Sequence, residues 1–285
     1  MAASALGNAA QAQRRIRIVR PRLLSDFDQA RILVLSPHLD DAVLGVGELL
    51  SATRESVVAT VFTGSPGVQM PASEWDRRTA STAAEVIAIR RREDELALAQ
   101  LGARPIHLGF VEGAYRGPAC WHESMSVREP FSAMRAAVMS VLLETDSDVV
   151  LVPVGLGHVD HRVTCVVTLS AWLSTRQGEL WTWVEQPYGA FDDGLAHDRL
   201  RDLRASATPV PLATDRGHAT AKIQAISAYR SQLAPLQCAF TGWDPSRRLE
   251  ERVWRLYFDE ALGRLPESET TEQSTAAWAT VGMVA

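Results

Sequence analysis

The sequence predicts an α/β protein built on a mostly parallel sheet with helices on both faces, and three observations carry that expectation. Short apolar runs alternate along the chain with longer segments rich in Ala, Glu, Arg and Leu, the signature of repeated βα units. The first run, "ILVL" at 32–35, is apolar at every position and is stopped by Ser36-Pro37, as suits a strand covered on both faces. No internal repeat and no shift in composition marks a second unit, so one α/β domain over 29–262 is expected, between a flexible N-terminal extension (1–28) and a C-terminal tail (263–285).

The elements follow in order. After the first strand, 42–53 reads as a short helix and "SVVATVFTG" (56–64) as a β-branched second strand. Residues 82–101 contain few breakers and make a long helix, with Gly102 placed to close it. "PIHLGF" (105–110) is the third strand, and "VEGAYRGPACWHESMSVREP" (111–130) a long loop of the kind that is more often functional than idle. A helix at 131–144, "DVVLVPV" (148–154), a helix at 161–174 and "LWTWVEQ" (180–186) continue the alternation. Beyond 187 the pattern loosens to a helix at 217–231 and an alternating stretch, "RVWRLYF" (252–258), that suits an edge strand.

Composition excludes several function classes. The chain has 285 residues, 46% hydrophobic and 22% charged, an ordinary soluble balance. A net charge of -5 argues against nucleic-acid and anionic-membrane partners, which require concentrated Lys and Arg. Lys222 is the only lysine, a bias shared by the whole chain and read as compositional. Cys120, Cys165 and Cys238 have no C-x-x-C spacing, so reduced thiols are expected rather than a disulfide framework or a thiolate metal site. With no secretory h-region and no apolar run of about 20 residues, the expected location is the cytoplasm. The sequence is compatible with an oligomer.

Two short stretches carry chemistry. "SPHLDDAVLGVG" (36–47) leaves the first strand with His38, Asp40 and Asp41, and "GLGHVDHRVT" (155–164) leaves the fourth with His158, Asp160 and His161. Ligands of open α/β sheets bind at the carboxyl ends of strands where strand order reverses, so both loops belong at one site. Burying unpaired carboxylates is costly unless something uses their charge, and a cation is one such use. Imidazole and carboxylate donors without thiolates suit zinc or a similar divalent ion, and three ligands with one open position mark a catalytic rather than a structural site. One of the adjacent aspartates can then hold the ion while the other faces a water as a base. Either aspartate alone also suits the N-cap of the following helix. The turn lacks G-x-G-x-x-G, and neither a P-loop nor a G-x-S-x-G elbow occurs.

"PHLDDA" and "GHVDH" resemble the two signature motifs of the PIG-L/LmbE-like N-acetylglucosamine deacetylases, and "FTGSPG", "RRRE", "HLGFVEG" and "KIQAISAYRSQ" support the likeness from about 31 to 232. The resemblance implies a Rossmann-like fold with a zinc site at the carboxyl ends of the strands. It implies His38, Asp41 and His161 as ligands of one Zn2+, Asp40 as general base, and His158 as the residue that stabilises the oxyanion and helps protonate the leaving amine. The reaction implied is hydrolysis of an N-acetyl or N-acyl group on an amino sugar, with a small-molecule glycoside as substrate, and the "PHLDDAVL" form is similar to branches that act in antibiotic biosynthesis. Another metal-dependent hydrolase, an amidase of a thiol-sugar conjugate or a phosphoesterase, and a non-catalytic sugar-binding member are the alternatives. Leu39 and Val159 stand where the family has proline, Ala42 where it has an acidic residue, and Leu156 where one branch has tyrosine.

Substrate contacts are expected from Arg90, Glu112, Trp75, Trp121 and Tyr188. In the plainer reading Arg90 and Glu93 are a solvated i,i+3 ion pair. The loops 65–79 and 111–129 should rim the site, and their Met70, Trp75, Tyr115, Trp121 and Met125 would suit an apolar aglycone. His107 is expected to be a satisfied core residue, while His122, His197 and His218 lack partner spacing.

Overall fold

The computed structural model describes residues 29–116, 128–203, 205–212, 215–247 and 250–258. Seven strands form one sheet in the order β3-β2-β1-β4-β5-β7-β6. They are β1 (Arg31–Ser36), β2 (Glu55–Phe62), β3 (Ala103–Phe110), β4 (Val149–Pro153), β5 (Glu179–Trp183), β6 (Ser206–Pro209) and β7 (Val253–Tyr257). The first five are parallel, with β1 paired to β2 on one side and β4 on the other, and β7 joins β5 antiparallel.

The all-apolar runs are explained by two cores. Along β1, Ile32 and Val34 enter one core and Leu33 and Leu35 the other, because successive strand side chains point to opposite faces. The first face is covered by α1 (Asp41–Ala52), α2 (Ala83–Gln100), α7 (Arg216–Ile226) and α8 (Arg230–Ala239). The second carries α4 (Arg128–Thr145), α5 (Val159–Thr175) and α6 (Asp193–Asp202). A single turn, α3 (Gly113–Arg116), follows β3.

Three expectations are corrected. "RVWRLYF" is not the edge strand: β7 is second from the edge, because the short β6 pairs outside it. The helix expected over 217–231 is two, broken at Ser227–Tyr229, where the buried Tyr229 turns its hydroxyl to Asp94 at 2.9 Å. Helix α6 was not expected. The proposed extension (1–28) and tail (263–285) lie outside the described residues.

Helix α1 is kinked at Val46 (φ -139°, ψ 29°). A kink releases backbone N–H groups from their i-4 partners. Those of Glu48 and Leu49 donate instead to the Glu251 carboxylate at 2.7 and 3.0 Å. Lys222 reaches the same carboxylate at 2.8 Å, and both side chains are buried.

Candidate active site at the switch point

Strand order reverses between β1 and β4, and the loops leaving their carboxyl ends meet there. Neither aspartate caps α1 with its side chain. Asp40 occupies the N-cap position without a side-chain cap bond, and Ser36 Oγ accepts the Ala42 N–H at 3.1 Å instead. Asp40 also sits at φ 152°, a conformation a non-glycine residue holds at a cost of about 1–3 kcal/mol and one that concentrates at functional sites.

With capping assigned elsewhere, the aspartates face the histidines. Asp41 Oδ2 lies 3.2 Å from His38 Nδ1 and 3.2 Å from His161 Nε2, and it also accepts the His38 N–H at 2.9 Å. Each imidazole is backed on its other nitrogen. His38 Nε2 meets Asp160 Oδ2 at 3.1 Å, and His161 Nδ1 faces Glu185 Oε1 at 3.5 Å, a separation for electrostatic attraction rather than a short hydrogen bond. Carboxylates behind imidazoles orient the rings and raise their basicity, as in metal sites.

Among the described residues, two overlapping groups could hold a cation: His38 with Asp41 and His161, or His38 with His158 and Asp160. Hydrogen bonding separates them. The Asp160 carboxylate is occupied by His38, by the Gly113 N–H at 2.7 Å and by Arg116, while His158 Nδ1 accepts the Asp160 N–H at 3.2 Å. The first group has donor atoms converging on one point, and its chemistry, two imidazoles and a carboxylate, fits zinc.

Charge follows the same division. Burial opposes protonation of His38 and His161, yet Asp160 and Asp41 hold the first up to about 10, and Asp41 and Glu185 the second up to about 9. Burial would raise Asp41, but His161 and His38 overrule it and keep it below the carboxylate range. The centre therefore attracts positive charge strongly. Asp40 differs: burial, then repulsion by Asp41, push it up to about 8. Burial and the neighbouring His38 lower His158 to about 3, so its ring is neutral near pH 7. A neutral ring whose Nδ1 accepts a backbone N–H carries its proton on Nε2, as a donor.

The pocket at this centre, about 220 Å³, also takes in Arg90, Glu112, Trp75, Tyr188, Gln186 and Gln232. Arg90 is not a solvated partner of Glu93. It is buried and donates to Glu112 at 3.1 Å from 22 residues away, while Glu93 accepts from Ser231 on α8. Trp75 stands half-exposed at the mouth and donates to Gln232 at 3.0 Å. Tyr188 packs edge-on against His161, and the close approach of its ring, with φ +67° at Gly157, leaves no room for a side chain there. Met70 remains exposed, but Tyr115 is buried and donates to Asp76 at 2.8 Å, anchoring the loop rather than rimming the site. Trp121 and Met125 lie outside the described residues. His107 pairs with Asp94 at 3.1 Å as a satisfied residue, and His218 takes part in the capping box of α7.

Sequence reasoning missed Glu185, Gln186 and Gln232 and gave Asp160 no role. Glu185 is fully buried two residues beyond β5, and its Oε1 accepts the Gly155 and Leu156 N–H groups at 2.6 and 3.1 Å. An acidic residue closing an otherwise apolar strand was the available signal. No helix among the described residues is long and apolar enough to cross a membrane.

Comparison with known proteins bears on the same residues. The family model described as PIG-L, GlcNAc-PI de-N-acetylase, matches residues 33–172, a span containing both His/Asp loops. A 2'-N-acetylparomamine deacetylase of Streptomyces fradiae is 31% identical over 251 residues, 84% of each chain. The crystal structure of the antimicrobial A40926 pseudoaglycone deacetylase Dbv21 superposes with a TM-score of 0.61 at 30% identity, covering 81% of this chain and 98% of that one. A deacetylase–teicoplanin complex shares the fold at 22% identity and a TM-score of 0.61, covering 79% of this chain and 97% of that one. With the relative from Streptomyces fradiae extending over most of both chains, the chain belongs to the PIG-L family and is a deacetylase of it.

Proposed function

We propose that the enzyme hydrolyses the N-acetyl group of an amino sugar borne on a secondary-metabolite glycoside, using a divalent ion, zinc by its donor set, held by His38, Asp41 and His161. The carrying observation is Asp41 Oδ2, equidistant at 3.2 Å from one nitrogen of each histidine, with a carboxylate behind each ring. Support for the substrate class comes from relatives named for a 2'-N-acetylparomamine and for the A40926 pseudoaglycone. His38, Asp41 and His161 would hold the ion, which would supply Lewis-acid polarisation of an amide carbonyl and a more acidic water.

The chain's own groups then divide the proton work. Asp40, buried beside Asp41 in a strained backbone conformation, takes the proton from the attacking water. Burial and Asp41 raise this carboxyl and a cation held by Asp41 would lower it, a balance that lets Asp40 accept a proton and pass it to the leaving amine. His158 presents a neutral Nε2–H to the carbonyl oxygen as negative charge develops there. Asp160 sets the orientation of two rings, through its carboxylate to His38 and through its N–H to His158.

Acetate release from a panel of N-acetylated aminoglycosides, glycopeptides and simple glycosides, with elemental analysis of the same preparation, tests the reading. One tightly bound divalent ion per chain and turnover of an amino-sugar glycoside are expected. Turnover by metal-free protein would overturn it.

A further inference from the structure

We propose that Asp76 recognises a second, protonated amine on the substrate, so that the preferred substrate is an N-acetylated amino sugar glycoside that still carries a free ammonium group. The inference rests on the deacetylase reading above. Asp76 lies between β2 and α2, lines the pocket and is 1% exposed. Its two carboxylate oxygens are used unequally. Oδ2 accepts from Ser73 Oγ and from the Tyr115 hydroxyl, each at 2.8 Å, and that hydroxyl accepts the Ser73 N–H at 3.2 Å. The Asp76 N–H donates back to Ser73 Oγ at 3.2 Å. These bonds fix the plane of the carboxylate and leave Oδ1 buried without a donor among the described residues.

A buried acceptor left unmade is costly, and more so for a charged group, so a built site with such an atom is arranged for a donor that arrives with the ligand. Charge balance selects the donor. The described lining contains four carboxylates, Asp40, Asp41, Asp76 and Glu112, and one guanidinium, Arg90. Arg90 already donates to Glu112, and although burial works against its charge, Glu112, Asp40, Asp76 and Asp41 together hold its pKa above the ordinary value. With Arg90 committed to Glu112, Asp76 makes no ion pair among the described residues and lacks a paired positive charge. An ammonium supplies that charge with three N–H donors, whereas a hydroxyl supplies a donor alone. Gln186, buried in the same lining with Oε1 unpartnered, offers an amide that pairs with either kind of group, so discrimination by charge falls to Asp76.

The test uses the metal-loaded, full-length enzyme and matched substrates: an N-acetylated pseudodisaccharide bearing a free amine, and analogues with each free amine replaced by hydroxyl. The wild type should favour an amine-bearing compound by about 10-fold or more in kcat/KM, the scale of one hydrogen bond to a charged group, with the difference in KM. Asp76→Asn should bring that ratio to about one while retaining the metal, the change being read in KM for the amine-bearing compound. Tyr115→Phe and Ser73→Ala, which loosen the carboxylate without removing it, should keep the preference. A wild-type ratio of one, or an Asp76→Asn variant that still prefers the amine, overturns the inference. If Asp76→Asn does not fold, the pH dependence of the wild-type KM decides. KM for the amine substrate should rise as the substrate amine deprotonates, with no such rise for the hydroxyl analogue, and parallel profiles overturn the inference. Acetate release from neither compound overturns this inference together with the deacetylase reading, whereas equal release overturns this inference alone.

Discussion

The two walls of the pocket are built on opposite plans. On the inner wall, formed by the loops after β1 and β4, both nitrogens of His38 and of His161 face carboxylates, His161 Nδ1 by charge alone at 3.5 Å, and the Asp160 carboxylate is engaged by three partners. On the outer wall, formed by the 65–79 loop, the segment after β5 and α8, Asp76 Oδ1 and Gln186 Oε1 have no donor among the described residues, and Trp75 stands half in solvent. Opposed charges held this close preorganise the inner wall, so that they need no rearrangement when the reaction begins. An open wall waits for a ligand to complete it. Catalysis and recognition are thus separated by wall, and substitutions on the two walls should differ in what they change.

The largest effect is expected at the shared carboxylate. His161→Ala or Asp41→Ala should lose bound metal and at least about 10³-fold in kcat/KM, since Lewis-acid stabilisation is worth several kcal/mol; full metal content in His161→Ala, read by elemental analysis, would break the division of walls. Next, Asp40→Asn and His158→Ala should keep the metal and lose about 10²-fold or more in kcat, with little change in KM. Metal loss in Asp40→Asn would exchange the roles of the two aspartates.

Glu185→Gln probes the bracing carboxylate behind His161. It should weaken metal affinity by about 10–100-fold, measured by competition with a chelator, while kcat recovers at saturating metal. An equal loss of kcat at saturation would place Glu185 in the chemistry itself. Smallest is the outer wall: Trp75→Ala should raise KM by less than about 10-fold for glycosides with an apolar aglycone and leave kcat and metal unchanged, as for one aromatic contact. A collapse of kcat in Trp75→Ala would mean that the walls are not separable.

Legibility in the sequence divides along similar lines. The parallel strands β1, β2, β4 and β5 were readable because each is buried on both faces, so every position in "ILVL" is apolar. β6 was not, because "SATP" is a short, largely exposed edge strand, and its Pro209 reads as a break. Helix α8 carries Pro235 in its interior and reads as a break. In the site, His38, Asp40, Asp41, His158 and His161 stood out because two clusters at strand ends concentrate ionisable groups. The plainer reading of Arg90 failed because the near neighbour Glu93 suggested a partner, whereas its ion-pair partner, Glu112, is brought in by β3. Glu185 and Asp76 are single carboxylates whose significance lies only in what surrounds them after folding.

The buried pair beneath the kinked α1 gives the molecule an unusual optical and chemical handle. Lys222 is the only lysine in the chain, and its side chain is 3% exposed against Glu251. Amine-reactive labels therefore meet a side-chain target only when α7 parts from Glu251 and the second half of α1 loses its borrowed acceptor. The rate of acylation at this one position, mapped by peptide mass, is a clock for local opening of the helical layer that covers the first core face.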